Sequence, residues 1–364
     1  MELILDQLAG RVRAAADAGR SLRIRGGGSK DFYGEQLQGE LLETSELAGI
    51  VSYEPTELVV TARAGTPLAD LEAMLAEHHQ CLPFEPPHFA GGATVGGVVA
   101  TGLSGPARAS VGSVRDYVLG LTMINGRGEV LTFGGQVMKN VAGYDVSRLV
   151  AGSLGTLGLI AEVSLKVLPV APAEATLKFE MSQADALRRL NDWGGKPLAL
   201  NASCWLDENG VPTLYLRLRG AVAAVQAACQ SLGGERQTSG NVAAEWAALR
   251  DQRLPWFTER GARDLWRLSV PQTAPVLDLP DAPLVEWHGG ERWVRAQRAD
   301  AARLRQAALR AGGHATLFCR APDSAPVAGR FAPLAAPLDR IHRELKREFD
   351  PAGIFNRGRM YADF

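Results

Sequence analysis

Where its glycines fall is what most constrains the fold of this 364-residue chain. They crowd into positions 26–28, 91–105, 126–135 and 152–158, then thin out through most of the remaining chain. Glycine loses more backbone freedom on folding than any other residue, so dense clusters belong where the chain turns sharply or approaches something closely. In the first part they interrupt short β-patterned runs. Residues 22–25 lead into GGGSK, and residues 58–62 lead into a helix. That helix is signalled by Thr66 as N-cap, Pro67 at the first helical position, and Leu68, Leu71 and Leu75 along one face.

Beyond Ala175 the texture is simpler. Leu177, Phe179 and Met181 alternate as a strand, and Ala184, Leu187 and Leu190 recur at helical spacing. A strand near 198–205, an alternation of Leu214, Leu216 and Leu218, and a helix carrying Val222, Val225, Cys229 and Leu232 come next. Strand, helix, strand, strand, helix is most of a split βαβ, ferredoxin-like unit, with its last strand expected at 266–270. A final helix carries Leu338, Ile341, Leu345 and Phe349 and stops at Asp350 and Pro351. At this length the chain is expected to form two packed domains, 1–170 and a cap at 171–320. The remainder, 321–364, is expected to be a Pro- and Ala-rich linker followed by the closing helix.

Apolar residues make up 46% and charged residues 22%, ordinary values for a globular protein. With 39 Lys plus Arg against 40 Asp plus Glu, the chain has no electrostatic footprint for nucleic acid or an anionic membrane. Cys81, Cys204, Cys229 and Cys319 are widely spaced, which writes neither a zinc site, a disulfide framework nor an iron–sulfur site and fits a reducing cytoplasm. The N-terminus has early acidic residues and places Leu8, Val12 and Ala15 on one helical face, unlike a secretory signal. No run approaches the roughly 20 apolar residues that span a bilayer, so membrane association is expected only through a partner.

Three segments carry chemistry. In RIRGGGSK, a strand ends at Arg25 and gives way to Gly26, Gly27, Gly28, Ser29 and Lys30. Successive backbone N–H groups, a hydroxyl and an ammonium can face one phosphate there, although a glycine run can also be only a turn. In GGATVGGVVATGLSGP, Gly91, Gly92, Ala93, Thr94, Val95, Gly96, Gly97, Thr101 and Gly102 read as a second phosphate contact or as a buried turn. Arg108 and Arg115 come after it, able to neutralise a pyrophosphate or to pair with Asp116. The third segment, KNVAGYDVSRLVAGSLGTLGLI, joins Tyr144 and Asp145 to Gly155, Gly158 and Ile160. None has the strand, G-x-G-x-x-G, helix arrangement of a nicotinamide-binding fold.

Together, over about residues 1–170, these motifs resemble the PCMH-type FAD-binding domain of the vanillyl-alcohol oxidase superfamily, in the family's order and separation. The resemblance implies an α+β fold: that domain plus a ferredoxin-like cap. It also implies that the first two loops and Arg108 cradle the FAD pyrophosphate, with backbone around Gly155, Gly158 and Ile160 holding the adenosine part. The closing FDPAGIFNRGRM is similar to the family's terminal segment, which returns to the flavin; Asn356 and Arg359 match, and Arg357 stands where the family has proline.

Within the superfamily, EPPHFAGGATVGGVVATGLSGP and KNVAGYD look most like the FAD-binding E subunits of glycolate oxidases. That resemblance implies oxidation of a small 2-hydroxy acid, with a homologous larger flavin subunit and an iron–sulfur subunit as partners. Relatives with covalent FAD use a histidine or cysteine in these loops; 25–30 and 107–112 contain neither, so attachment is expected to be non-covalent.

Such an oxidation needs a base and a cationic carboxylate anchor. His288 and His314 are the only cap histidines, far apart in sequence and expected to be structural, and His88 has no assignable partner. No catalytic residue is assigned, and the isolated chain is expected to be nearly inactive. Trp246, Trp256, Trp266, Trp287 and Trp293 fit core packing or a subunit interface. A redox-active subunit, an assembly scaffold keeping a flavin fold, and a self-sufficient oxidase all remain open.

Overall fold

The computed structural model describes residues 2–135, 144–322, 324, 329–362 and 364. Helix α1 (Glu2–Asp17) buries Leu8, Ala9, Val12 and Ala15 against a parallel pair, β1 (Leu22–Arg25) with β2 (Glu40–Glu43). The chain then builds an antiparallel five-stranded sheet in the order β3-β4-β8-β6-β7. Its strands are β3 (Ile50–Glu54), β4 (Val59–Arg63), β6 (Val118–Ile124), β7 (Val130–Gly134) and β8 (Leu159–Lys166). A short pair, β5 (Gln80–Cys81) with β9 (Leu168–Pro169), flanks it.

Helices α2 (Leu68–Glu77) and α3 (Val95–Thr101) cover this sheet, burying Leu68, Leu71, Leu75, Val95, Val98 and Val99 against Val60, Ala62 and Val163. Three short helices, α4 (Arg108–Val111), α5 (Val114–Tyr117) and α6 (Val146–Val150), complete the layer. The start of α2 differs from the sequence expectation. Pro67 occupies the cap position without a side-chain bond, while the Thr66 hydroxyl is taken up by the backbone N–H and C=O of Gly49.

The cap is an antiparallel eight-stranded sheet, β13-β10-β12-β11-β15-β16-β14-β17. Its first half is β10 (Ala173–Glu180), α7 (Gln183–Gly194), β11 (Leu200–Glu208), β12 (Val211–Gly220), α8 (Val222–Leu232) and β13 (Glu235–Gln237). The spatial order 4-1-3-2 is that of a ferredoxin-like unit. The fourth strand is therefore the short β13 rather than 266–270. That sequence run instead forms β14 (Asp264–Ser269), central to the second half, where it pairs with β16 (Glu291–Ala296) and β17 (His314–Cys319). The apolar run fixed a strand there; only long-range pairing chose its neighbours. Helices α9 (Val242–Arg250) and α10 (Pro255–Thr258) link the halves, β15 (Leu284–Glu286) precedes β16, and α11 (Ala301–Arg310) precedes β17.

The last helix, α12 (Ala336–Phe349), ends at a turn ordered by Asp350. That carboxylate accepts from Lys346 Nζ at 2.7 Å and from the amides of Ile354 and Phe355. The next segment returns to the first domain, where Leu22 pairs with Phe355 beside β1. Leu338 and Ile341, expected on the packed face, are half exposed. Among the described residues, no helix is long and apolar enough to cross a membrane.

Candidate functional site

A groove with about 740 Å³ of open space runs where β1, α3, the 154–160 turn and the C-terminal segment converge. Arg25, Gly26, Gly27, Gly28, Ser29 and Lys30 form one wall, and Thr94, Gly96, Gly97 and Thr101 a second. Gly155, Gly158 and Ile160, with Asn356 and Arg359, close it. These residues come from segments more than 300 positions apart. Thr44, Ala64, Ala100 and Leu154 also line it, apolar or singly polar residues that no local pattern flagged.

The first loop supplies most of the donors. Among the described residues, the backbone N–H groups of Gly27, Gly28, Ser29 and Lys30 donate no hydrogen bond within the protein. Gly28 has φ +74°, which turns the chain there. Lys30 is 7% exposed; its Nζ meets Ser29 Oγ at 3.2 Å and lies 5.7 Å over the Phe89 ring. Burial lowers its pKa to about 8, partly offset by the charge of Asp251. A buried ammonium beside four unengaged amides is an anion site in chemical terms.

The second loop plays a different part from the one expected. The amides of Val95, Gly96 and Gly97 are spent on Thr66 O, Ala64 O and Thr94 Oγ1. A Cβ on Gly27 would overlap the carbonyl of Gly92, so this close approach joins loop to loop rather than loop to ligand. Gly91, Gly92, Ala93, Val95 and Gly102 do not line the groove. Ala93 and Val95 are core, and Gly102, φ +65°, ends α3.

Arg108 also lies elsewhere. Its guanidinium stacks 4.4 Å from the Trp287 ring, at the junction with the cap, and does not line the groove. Asp116 accepts from the Ser113 amide and hydroxyl rather than pairing with Arg115. Arg359 lines the groove, but its guanidinium donates to the carbonyls of Asp31, Tyr33 and Glu35, and burial lowers its pKa to about 10. Asn356 accepts from Ile24 N at 2.8 Å and donates to Leu154 O at 2.6 Å. Both matched residues thus brace the groove's walls against each other. Asp145 caps α6, whereas 139–143 of the third motif lie outside the described residues.

The cap histidine and tryptophans resolve toward packing. His288 is held between Ser110 and Ser203 at 3.0 Å each, and burial lowers its pKa to about 4. His88 does have a partner, Glu72 at 2.8 Å. Trp246, Trp266, Trp287 and Trp293 are at most 8% exposed, which removes them as surface anchors; only Trp256 is partly exposed, against Arg295.

Sequence reasoning missed a buried carboxyl pair, Glu286 and Glu291, flanking the WHGG turn. The Gly-Gly pair marks a turn between them, but nothing in the sequence spacing announces that both glutamates are buried and face each other. Trp287 and His288 there hold φ of 52° and 54°, local strain kept in place by Trp287 Nε1 on Gly105 O and His288 N on Ser203. Burial and the charge of Glu291 push Glu286 well above the usual carboxyl range, and burial pushes Glu291 up to about 7, opposed by Arg267 and Arg108.

Comparison with known proteins fits this geometry. The family model "FAD binding domain" matches residues 5–134. D-lactate dehydrogenase of Anaerostipes hadrus is 38% identical over 36% of this chain and 27% of its own. Among solved structures, alkyldihydroxyacetonephosphate synthase superposes with a TM-score of 0.66 at 16% identity, over 96% of this chain and 73% of that one, a likeness of fold. FAD is therefore the cofactor of the first domain. Glycolate oxidase subunit GlcE of Escherichia coli (strain K12) is 47% identical over 94% of this chain and 93% of its own length, so the chain belongs to the GlcE family of FAD-binding subunits.

Proposed function

We propose that this chain is the FAD-holding subunit of a multi-subunit oxidase of glycolate or a closely related 2-hydroxy acid. The observation that carries the reading is the 26–30 loop, whose unengaged amides and buried Lys30 ammonium face one groove. Those groups would take the pyrophosphate, with Thr94 and Thr101 beside them and the backbone of Gly155, Gly158 and Ile160 along the rest of the cofactor. Asn356 and Arg359 would keep the walls apart by the right amount. When bound, FAD supplies a two-electron acceptor, and the protein supplies orientation and electrostatics. Among the described residues, no histidine or cysteine lines the groove, which supports non-covalent attachment.

The substrate class rests on the relatives, since glycolate and D-lactate are both 2-hydroxy acids. The partners proposed are a homologous larger flavin subunit and an iron–sulfur subunit, because reduced flavin must pass its electrons on and the four cysteines here are dispersed. Any membrane contact would come through them.

Acid precipitation of the purified protein tests the cofactor reading. All the flavin should appear in the supernatant as FAD, and flavin left in the pellet would contradict it. In the assembled complex, glycolate should bleach the flavin band of this subunit; a band that stays unbleached would favour a scaffold role.

A further inference from the structure

A second, narrower cleft lies on the cap side of the groove, one ring away from it: Phe89 lines this cleft and carries Lys30 Nζ over its face. Its floor is the β15–β16 hairpin, where Glu286 and Glu291 stand opposite each other in the antiparallel register. Facing cross-strand residues share one side of a sheet, so both carboxyls point into the same space. Glu286 is satisfied by Trp293 Nε1 at 2.8 Å. Glu291, also touched by the Trp293 indole, is only partly satisfied: it is 2% exposed, its Oε1 accepts no hydrogen bond among the described residues, and the Nε of Arg267 stands 3.9 Å away. Burying an acceptor without a donor is costly, and this one belongs to a residue that lines the cleft.

The cleft also carries cations. Arg267 lines it, fixed by a 3.2 Å bond from Nη2 to Tyr33 Oη and by the Phe318 ring at 5.6 Å. Arg250 faces it from α9, held by Asp251 at 2.9 Å. With Arg267 and Arg108 both acting on Glu291, the local field disfavours a metal ion between the two carboxyls. A cation, an unsatisfied acceptor and aromatic walls in a tight space suit a small anion that brings its own donor.

We infer that this cleft binds the carboxylate of a small 2-hydroxy acid on Arg267 and accepts the hydrogen bond of its hydroxyl on Glu291. The inference rests on the function proposed above for its substrate class. It gives the chain a substrate pocket of its own, with a carboxyl where the sequence offered no base.

The test is calorimetric titration of the full FAD-loaded chain with 2-hydroxyisobutyrate, which has both groups but no oxidisable C–H, and with isobutyrate, which lacks the hydroxyl. The wild-type chain should prefer the hydroxy acid by about tenfold, the scale of one charge-assisted hydrogen bond. Glu291→Met should erase that preference, and Arg267→Met should weaken both ligands by about tenfold or more. Retained FAD reports folding of each variant, and either variant alone decides if the other is lost. Absence of binding or of preference in the wild-type chain overturns the inference, as does unchanged binding in the variants. A complex that oxidises glycolate while the variants bind normally sinks the cleft alone; one that never oxidises glycolate sinks the proposed function.

Discussion

At Lys30, burial and the demand for charge pull in opposite directions. Desolvation brings its pKa to about 8, against the attraction of Asp251. Only the ammonium form attracts a pyrophosphate, so FAD affinity of the cofactor-free chain should be flat below about pH 7. It should then fall as pH rises through 8, by up to about tenfold per unit. Flavin fluorescence quenching against pH reads this directly, and Lys30→Met should flatten the profile while weakening binding at neutral pH. Glu291 has the opposite electrostatic problem. Burial raises it from its ordinary 4.5 to about 7, so its contribution to stability is fully present below pH 4.5 and is lost as pH rises to 7. Glu291→Gln should therefore melt like the wild type at pH 4 and be more stable above pH 7, by ~2 kcal/mol. Equal stability at pH 8 in matched thermal scans would show that the carboxyl is not held in this state.

The elements around the groove are held by a few long-range ties. Asn356 joins β1, through Ile24 N, to the turn at Leu154. The Asn356→Ala change leaves a buried donor and acceptor without partners, so it should cost about 1–3 kcal/mol in urea unfolding and loosen FAD. An unchanged midpoint would mean the segment is held by other contacts. The same scale explains α12: Lys346 is buried in a cage of Thr156 O, Phe355 O and Asp350. The helix is therefore pinned by its C-terminal turn, which leaves Leu338 and Ile341 half exposed despite their regular spacing.

Across the whole molecule, the cap is fastened to the first domain by polar contacts. Glu85 accepts from Arg217 and Arg219 of β12, and Asp251 accepts from the His88 amide at 2.8 Å. Arg217 is nearly fully buried, and burial lowers its pKa against the pull of Glu85. This fixed junction is what creates the carboxyl-lined cleft. Trp293 lies inside it, so Trp293→Ala should destabilise the fold by about 3–5 kcal/mol and reduce soluble yield. Trp256, partly exposed, is the one of the five suited to a partner contact. Trp256→Ala should leave FAD bound while reducing co-purification with tagged partner subunits by an amount the wild-type pull-down calibrates. Full recovery of the partners with Trp256→Ala would place the interface elsewhere.

The sequence alone determined many of the strands and the glycine turns, because glycine placement and side-chain period are local properties of the chain, and the FAD-binding class through the resemblance its three motifs carry. Residues 26–30, 155, 158 and 160 were legible as groove for that reason. Tertiary structure decided which donors remain for a ligand, since hydrogen-bond partners come from anywhere in the fold. It spent the amides of Val95 to Gly97 internally and turned Arg108 toward Trp287. It also committed Arg359 to backbone carbonyls. Long-range pairing likewise placed β13 beside β10 and β14 between β16 and β17. Burial then did what no spacing could announce: it brought Glu286 and Glu291 together, away from water, and made two ordinary glutamates a chemically distinct pair.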